Sequence, residues 1–95
     1  MHIISRKALK NFAKQHPDSE TTLNTWFRIV KTNNFKNFSM LRQVFPSADK
    51  VGHLIVFNIG GNKYRLIASI HFNRQKLYIR DILAHAEYDK GKWKQ

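Results

Sequence analysis

The chain has 95 residues, enough for one small domain spanning 1–95. It has no cysteine, which excludes a disulfide framework and any thiolate metal site. Hydrophobic residues make up 42%, which excludes a disordered composition, while 17 Lys and Arg against 6 Asp and Glu give a formal net charge of +11.

His2, Ile3 and Ile4 read as a short first strand. Ser5 is placed to cap a helix in which Ala8, Leu9, Phe12 and Ala13 share one face, and Pro17 ends it or sits in the connection. Asp18 or Ser19 is expected to cap a second helix. Leu23, Trp26, Phe27 and Val30 follow at i, i+3, i+4 and i+7, a core-facing stripe. Asn33 and Asn34 suit its end. A brief helix or turn with Met40, Leu41, Val44 and Phe45 apolar stops at Pro46.

From about His53 the period becomes two. Ile55, Phe57 and Ile59 alternate with Leu54, Val56 and Asn58, and Gly60-Gly61 predicts a hairpin turn because glycine accepts positive φ. In the next strand Tyr64, Leu66, Ala68, Ile70 and Phe72 form one face, and Lys63, Arg65, Ile67, Ser69 and His71 the other. A third strand follows Asn73-Arg74, with Leu77 and Ile79 alternating against Lys76, Tyr78 and Arg80. A two-residue loop at Asn73-Arg74 places Ile70 opposite Leu77 and Ala68 opposite Ile79, apolar on apolar. It also sets Ile67 opposite Arg80, on the face of Arg65. In that register Asp81 points toward the core side near the sheet end. The expected fold class is α+β: two N-terminal helices on one face of a mainly antiparallel sheet, then a short C-terminal helical segment.

No acidic residue lies between Thr21 and Ala48 or between Lys50 and Arg80, so the expected partner is a polyanion, nucleic acid first, or an acidic protein. The second sheet face gathers Asn58, Lys63, Arg65, Ser69, His71, Tyr78 and Arg80. Arginine there is the stronger sign of phosphate binding, since its planar fork can grip two oxygens; a solvated polar face is the structural alternative. In AHAEYDKG, His85 and Tyr88 are three apart, so one helical turn sets both on one side, with Lys90 just beyond. The structural alternative there is a surface histidine, a packed tyrosine ring and Asp89 as a cap. The remaining histidines lack metal-ligand spacing, and neither a metal nor a cofactor is expected. Trp93, in the basic tail, can stack on a base or pack down. The opening MHIISRKALKNF lacks the apolar run of a signal peptide, and no stretch is long enough to span a bilayer. A cytoplasmic protein without a membrane partner is expected.

VFNIGGNKYRLIASI, YIR and HAEYDK, with the earlier FPSAD and the opening MHIISRKAL, closely resemble HigB-type toxins of bacterial type II toxin–antitoxin systems, within the RelE-like group of small basic endoribonucleases. The resemblance covers nearly the whole chain, in order. It implies a RelE-like fold, mRNA cleavage that is usually on the translating ribosome, and neutralisation by a HigA-type helix-turn-helix antitoxin. The strand arginine of that group matches Arg65 in NKYRL, and its basic-then-tyrosine arrangement matches His85 and Tyr88 in HAEYD. The expected chemistry is attack of the RNA 2′-hydroxyl on its adjacent phosphate. Arg65 and Arg80 would hold the phosphate, His85 would act as general base, Tyr88 would donate a proton or orient the substrate, and Lys63 would support the charge. Asn58, His71, Tyr78 and Lys90 are the further expected RNA contacts. Two other readings use the same basic face: a module that blocks translation by occupancy without cutting, and an interface for an acidic protein.

Overall fold

The computed structural model describes residues 1–61 and 63–94. The chain begins with strand β1 (His2–Ile4), helix α1 (Arg6–Gln15), a 3-10 turn at Pro17–Ser19 and helix α2 (Glu20–Thr32). Helix α3 (Phe38–Val44) leads to strands β2 (Asp49–Val51), β3 (Leu54–Ile59) and β4 (Tyr64–His71). A second 3-10 turn (Phe72–Arg74) precedes β5 (Lys76–Ala84), helix α4 (His85–Asp89) and a last 3-10 turn at Lys92–Lys94. The sheet order is β1-β5-β4-β3-β2. Among the described residues only the β1–β5 pair is parallel, so the sheet is mainly antiparallel and the expected α+β arrangement is present.

The apolar periods explain the layers. Leu23, Trp26 and Val30 of α2 are buried at helical spacing, and Leu9 of α1 and Leu41 of α3 join them. They meet Ile55, Phe57, Ile59, Leu66, Ala68 and Leu77, which alternate along β3, β4 and β5. Each large aliphatic side chain fully withdrawn from water here contributes about 1.5–3 kcal/mol.

The helix ends differ in detail from the sequence reading. Ser5 occupies the N-cap position of α1 without a side-chain bond, and Ser19 Oγ donates back to the carbonyl of His16 at 2.6 Å instead of capping α2. Asn37 is the working cap: its Oδ1 accepts the Met40 N–H at 2.9 Å and opens α3. Asn33 closes α2 by donating Nδ2 to the Ile29 carbonyl at 2.7 Å.

Ile70 pairs with Leu77 and Ala68 with Ile79, as the apolar match predicts. The connection is wider than two residues, because the last pair is His71 with Lys76. Widening it by one residue on each side leaves the register unchanged. Gln75 completes it in the left-handed region at φ 54°, with its amide donating to the carbonyls of Phe35 and Phe72 at 2.7 and 2.8 Å.

Past Ile79 the expectation fails. The register shifts between Ile67 and Ala68, so Ile67 lies opposite Asp81 and not Arg80. Arg80 is the extra residue of a β-bulge. The reason is visible downstream: with one residue absorbed, Ile82 and Ala84 turn to the helix-covered core and Asp81 turns away from it. The bulge removes the buried carboxylate that an unbroken ladder would have required.

The second sheet face is also less polar than the sequence reading has it. Leu54, Val56 and Ile67 form a second buried cluster, covered by Val51, Leu83, Tyr88 and Trp93. The chain after β5 folds back over this face, leaving the part nearer β1 open. Among the described residues no helix is long and apolar enough to cross a membrane.

Candidate active site

Arg65 lies on β4, directly opposite Asn58 of β3 and Leu83 of β5, on the face away from the helices. It is half-buried. Its guanidinium carbon stands 5.3 Å from the centre of the Tyr88 ring, and Nη1 donates to the Tyr64 carbonyl at 3.2 Å. Among the described residues it makes no ion pair. A guanidinium carries five N–H donors, so most of them remain for an anion. The ring and the carbonyl fix where the fork sits.

Tyr88 is fixed in turn. Trp93 stacks on it with ring centres 5.0 Å apart and planes 13° apart, and the indole N–H donates to the Tyr88 carbonyl at 2.9 Å. Trp93 therefore packs down, in the service of Tyr88.

His85 begins α4, where β5 runs out. Its main-chain N–H donates to the Lys63 carbonyl at 3.0 Å, tying the start of α4 to the entry of β4. Its ring Nδ1 is 2.9 Å from Asp89 Oδ2. A proton held between those atoms leaves Nε2 as the ring nitrogen with a free lone pair. Both side chains are about half exposed, so the ring is open to a substrate. Asp89 does not cap the segment; it engages His85 from i+4.

The other expected residues are more dispersed. Lys63 reaches the helix layer, with Nζ 3.4 Å from Asp18 Oδ2. The same carboxylate accepts the Tyr64 hydroxyl, which holds Asp18 below its ordinary value and pushes the Tyr64 phenol up; burial of the phenol adds to the latter. Arg80, on the bulge, borders a groove with Ala8, Asn11, Phe12 and Gln15 of α1. Lys90 Nζ is 3.6 Å from Glu87 Oε1. His71 and Tyr78 pack edge to face, 5.5 Å apart, at the far end of the Arg65 face. The structure thus brings Arg65, Asn58, His85 and Tyr88 to one corner of the sheet and spreads Lys63, Arg80, Lys90, His71 and Tyr78 around it.

The sequence reading gives Asp89 only as a cap and Trp93 only as a residue that stacks on a base or packs down, not as the partners of His85 and Tyr88. The i,i+4 spacing of His85 and Asp89 was the available signal for the first. Nothing in the sequence singles out Trp93 as the partner of Tyr88. Among the described residues, no three His, Cys, Asp or Glu side chains gather as metal ligands.

A cationic fork against a phenol ring, with a carboxylate-paired imidazole on the same short helix as the phenol, is a set suited to phosphodiester chemistry. Comparison with known proteins points the same way. The model of the HigB_toxin family, described as the RelE-like toxic component of a toxin-antitoxin system, matches residues 19–91. The mRNA interferase toxin HigB of Escherichia coli (strain K12) is 41% identical over 92 residues, covering 94% of this chain and 88% of that protein. The mRNA interferase HigB of Shigella flexneri shows the same identity and coverage. That of Escherichia coli O6:H1 is 33% identical over 93 residues, covering 95% of this chain and 90% of its own length.

Proposed function

The chain belongs to the HigB family of RelE-like toxins, and from that premise we propose that it arrests translation by cutting mRNA at the corner formed by Arg65, His85 and Tyr88. The reaction is transesterification within the RNA. The 2′-hydroxyl attacks the adjacent phosphorus, the 5′-oxygen of the next nucleotide leaves, and two protons move. Nε2 of His85 takes the proton from the 2′-hydroxyl. Arg65 binds the non-bridging oxygens as negative charge grows on them. The Tyr88 hydroxyl orients the phosphate or supplies the proton to the leaving oxygen. Asn58, beside Arg65, and Lys90, beyond α4, contact the flanking backbone. Lys63 and Arg80 raise the local positive potential from the helix side.

The contact of the Arg65 guanidinium with the Tyr88 ring, 5.3 Å from its centre, supports this reading most directly, because a phosphate bound by Arg65 would then lie near the phenol proposed to act on it. An antitoxin partner and an mRNA substrate follow from the family. A HigA-type helix-turn-helix protein is the proposed form of that antitoxin, and the translating ribosome the proposed setting of the cut.

The test is primer extension on a translated mRNA incubated with the protein, with and without ribosomes, beside Arg65→Ala and His85→Ala. New 5′ ends made by the wild type and missing from both variants are the expected result. Translation arrest without new ends would sink the nuclease reading in favour of simple occupancy.

A further inference from the structure

We propose that Tyr78 and His71 form a separate stacking subsite for one base of single-stranded RNA, remote from the phosphate held at Arg65. The inference rests on the reading of this face as the RNA face. Arg65, Ile67, Ser69 and His71 alternate on β4 without a break, since the bulge lies in β5. Tyr78 is paired directly with Ser69 and therefore shares that face. At a rise of about 3.3 Å per residue, Ser69 and Tyr78 lie about 13 Å from the Arg65 row, and His71 about 20 Å. The space between contains Ile67, part of the cluster that Tyr88 and Trp93 pack against, with Asp81 opposite it.

Three observations give the far end its chemistry. The rings of His71 and Tyr78 are 5.5 Å apart and at 86°, so each limits the other's rotation and a planar base on one ring is bounded by the second. His71 is exposed and Tyr78 half-buried, which keeps the pair reachable and anchored. Lys76 is the cross-strand partner of His71, and His2 is that of Lys76, while Arg74 lies in the preceding turn. The nearest strand carboxylate on this face, Asp81, stands opposite Ile67, midway between the Arg65 row and the Ser69–Tyr78 row and two rows away from His71. Aromatic rings on a sheet face among cations suit stacked, unpaired bases. The subsite would make cleavage depend on substrate length, because a short RNA seated at Arg65 cannot reach it.

Single-stranded DNA offers the same stacking faces and phosphates but lacks the 2′-hydroxyl, so it serves as an uncut probe. Anisotropy titration of a labelled single-stranded DNA should show about tenfold weaker binding for Tyr78→Ala than for the wild type, within what one stacked base contributes. Tyr78→Phe should bind like the wild type. His71→Ala, at an exposed strand end that tolerates truncation, should bind about threefold weaker. A probe too short to span the face should not distinguish Tyr78→Ala from the wild type. Tyr78→Ala and His71→Ala binding as well as the wild type, with Arg65→Ala weakened, would overturn the subsite and leave the nuclease site standing. If Arg65→Ala also binds like the wild type, or the wild type does not bind at low salt, the reading of the whole face fails.

Discussion

The phenol hydroxyl of Tyr64 donates to the carboxylate of Asp18, 2.8 Å from one oxygen and 3.1 Å from the other, joining the 3-10 turn before α2 to the first residue of β4. The Tyr64 ring also meets Phe12 of α1 and His16, each edge-on at 5.2 Å. The strand that carries Arg65 is thus fastened to the helix layer one residue before the arginine.

This bond makes stability depend on pH at both ends of the scale. Asp18 titrates lower in the folded chain than its ordinary 3.8, so its contribution is full above that value and is lost as pH falls through the folded one. Tyr64 titrates above its ordinary 10.0, so its contribution is full below that value and is lost as pH rises through the raised one. Tyr64→Phe should lower the urea midpoint on the plateau between these limits, and the gap to the wild type should narrow at both extremes. A gap that stays constant from acid to alkali would show that the bond does not set it.

Arg65→Ala should reduce cleavage by about 10²- to 10³-fold, the usual effect of removing one group that stabilises developing charge. Arg65→Lys should recover only part of this, since an ammonium cannot copy the fork. Single-turnover rates with the thermal midpoint measured alongside separate lost chemistry from lost folding.

His85→Ala should slow the chemical step by about 10²- to 10⁴-fold, the range for a general base. Asp89→Asn should cost about tenfold, because it keeps the ring and loses only the carboxylate 2.9 Å from Nδ1. Neither change should shift unfolding by more than about 1 kcal/mol, as the pair is half exposed. Equal losses for the two variants would argue against His85 as the base.

Trp93→Ala should remove about 0.5–1.5 kcal/mol of stacking against Tyr88 and also lower the catalytic rate, while Trp93→Phe should restore most of both. Unchanged activity in the alanine variant would mean that Tyr88 needs no support from the tail.

Arg80→Ala should lower activity by less than about tenfold and flatten its salt dependence, the behaviour of a cation that acts through the field. A loss as large as that of Arg65→Ala would place Arg80 on the scissile phosphate.

Periodic features were legible from the sequence, and singular ones were not. The α2 stripe and the alternation of β3 and β4 each repeat one signal over several residues, and the Ile70–Leu77 register followed from matching apolar faces. Strand β2 has three residues, and only Val51 of them is apolar, too little to register as a pattern. The bulge is a backbone event with no residue type of its own. Its trace in the sequence was Asp81, which an unbroken ladder forces against the core. The placement of Arg65 on a strand and of His85 and Tyr88 on one short helix was within reach because these are regular elements. The Asp18–Lys63 pair spans 45 residues and depends on how two layers meet, which local spacing does not encode.

Arg80 is unpaired between Ile79, which faces Ala68, and Asp81, which faces Ile67. Deleting this one residue would therefore leave every remaining cross-strand partner where it is. What would change is the bend that the extra residue puts into β5 ahead of His85. A single-codon deletion thus separates pairing from aim: the shortened toxin should fold with the same ladder yet present its imidazole along a different line.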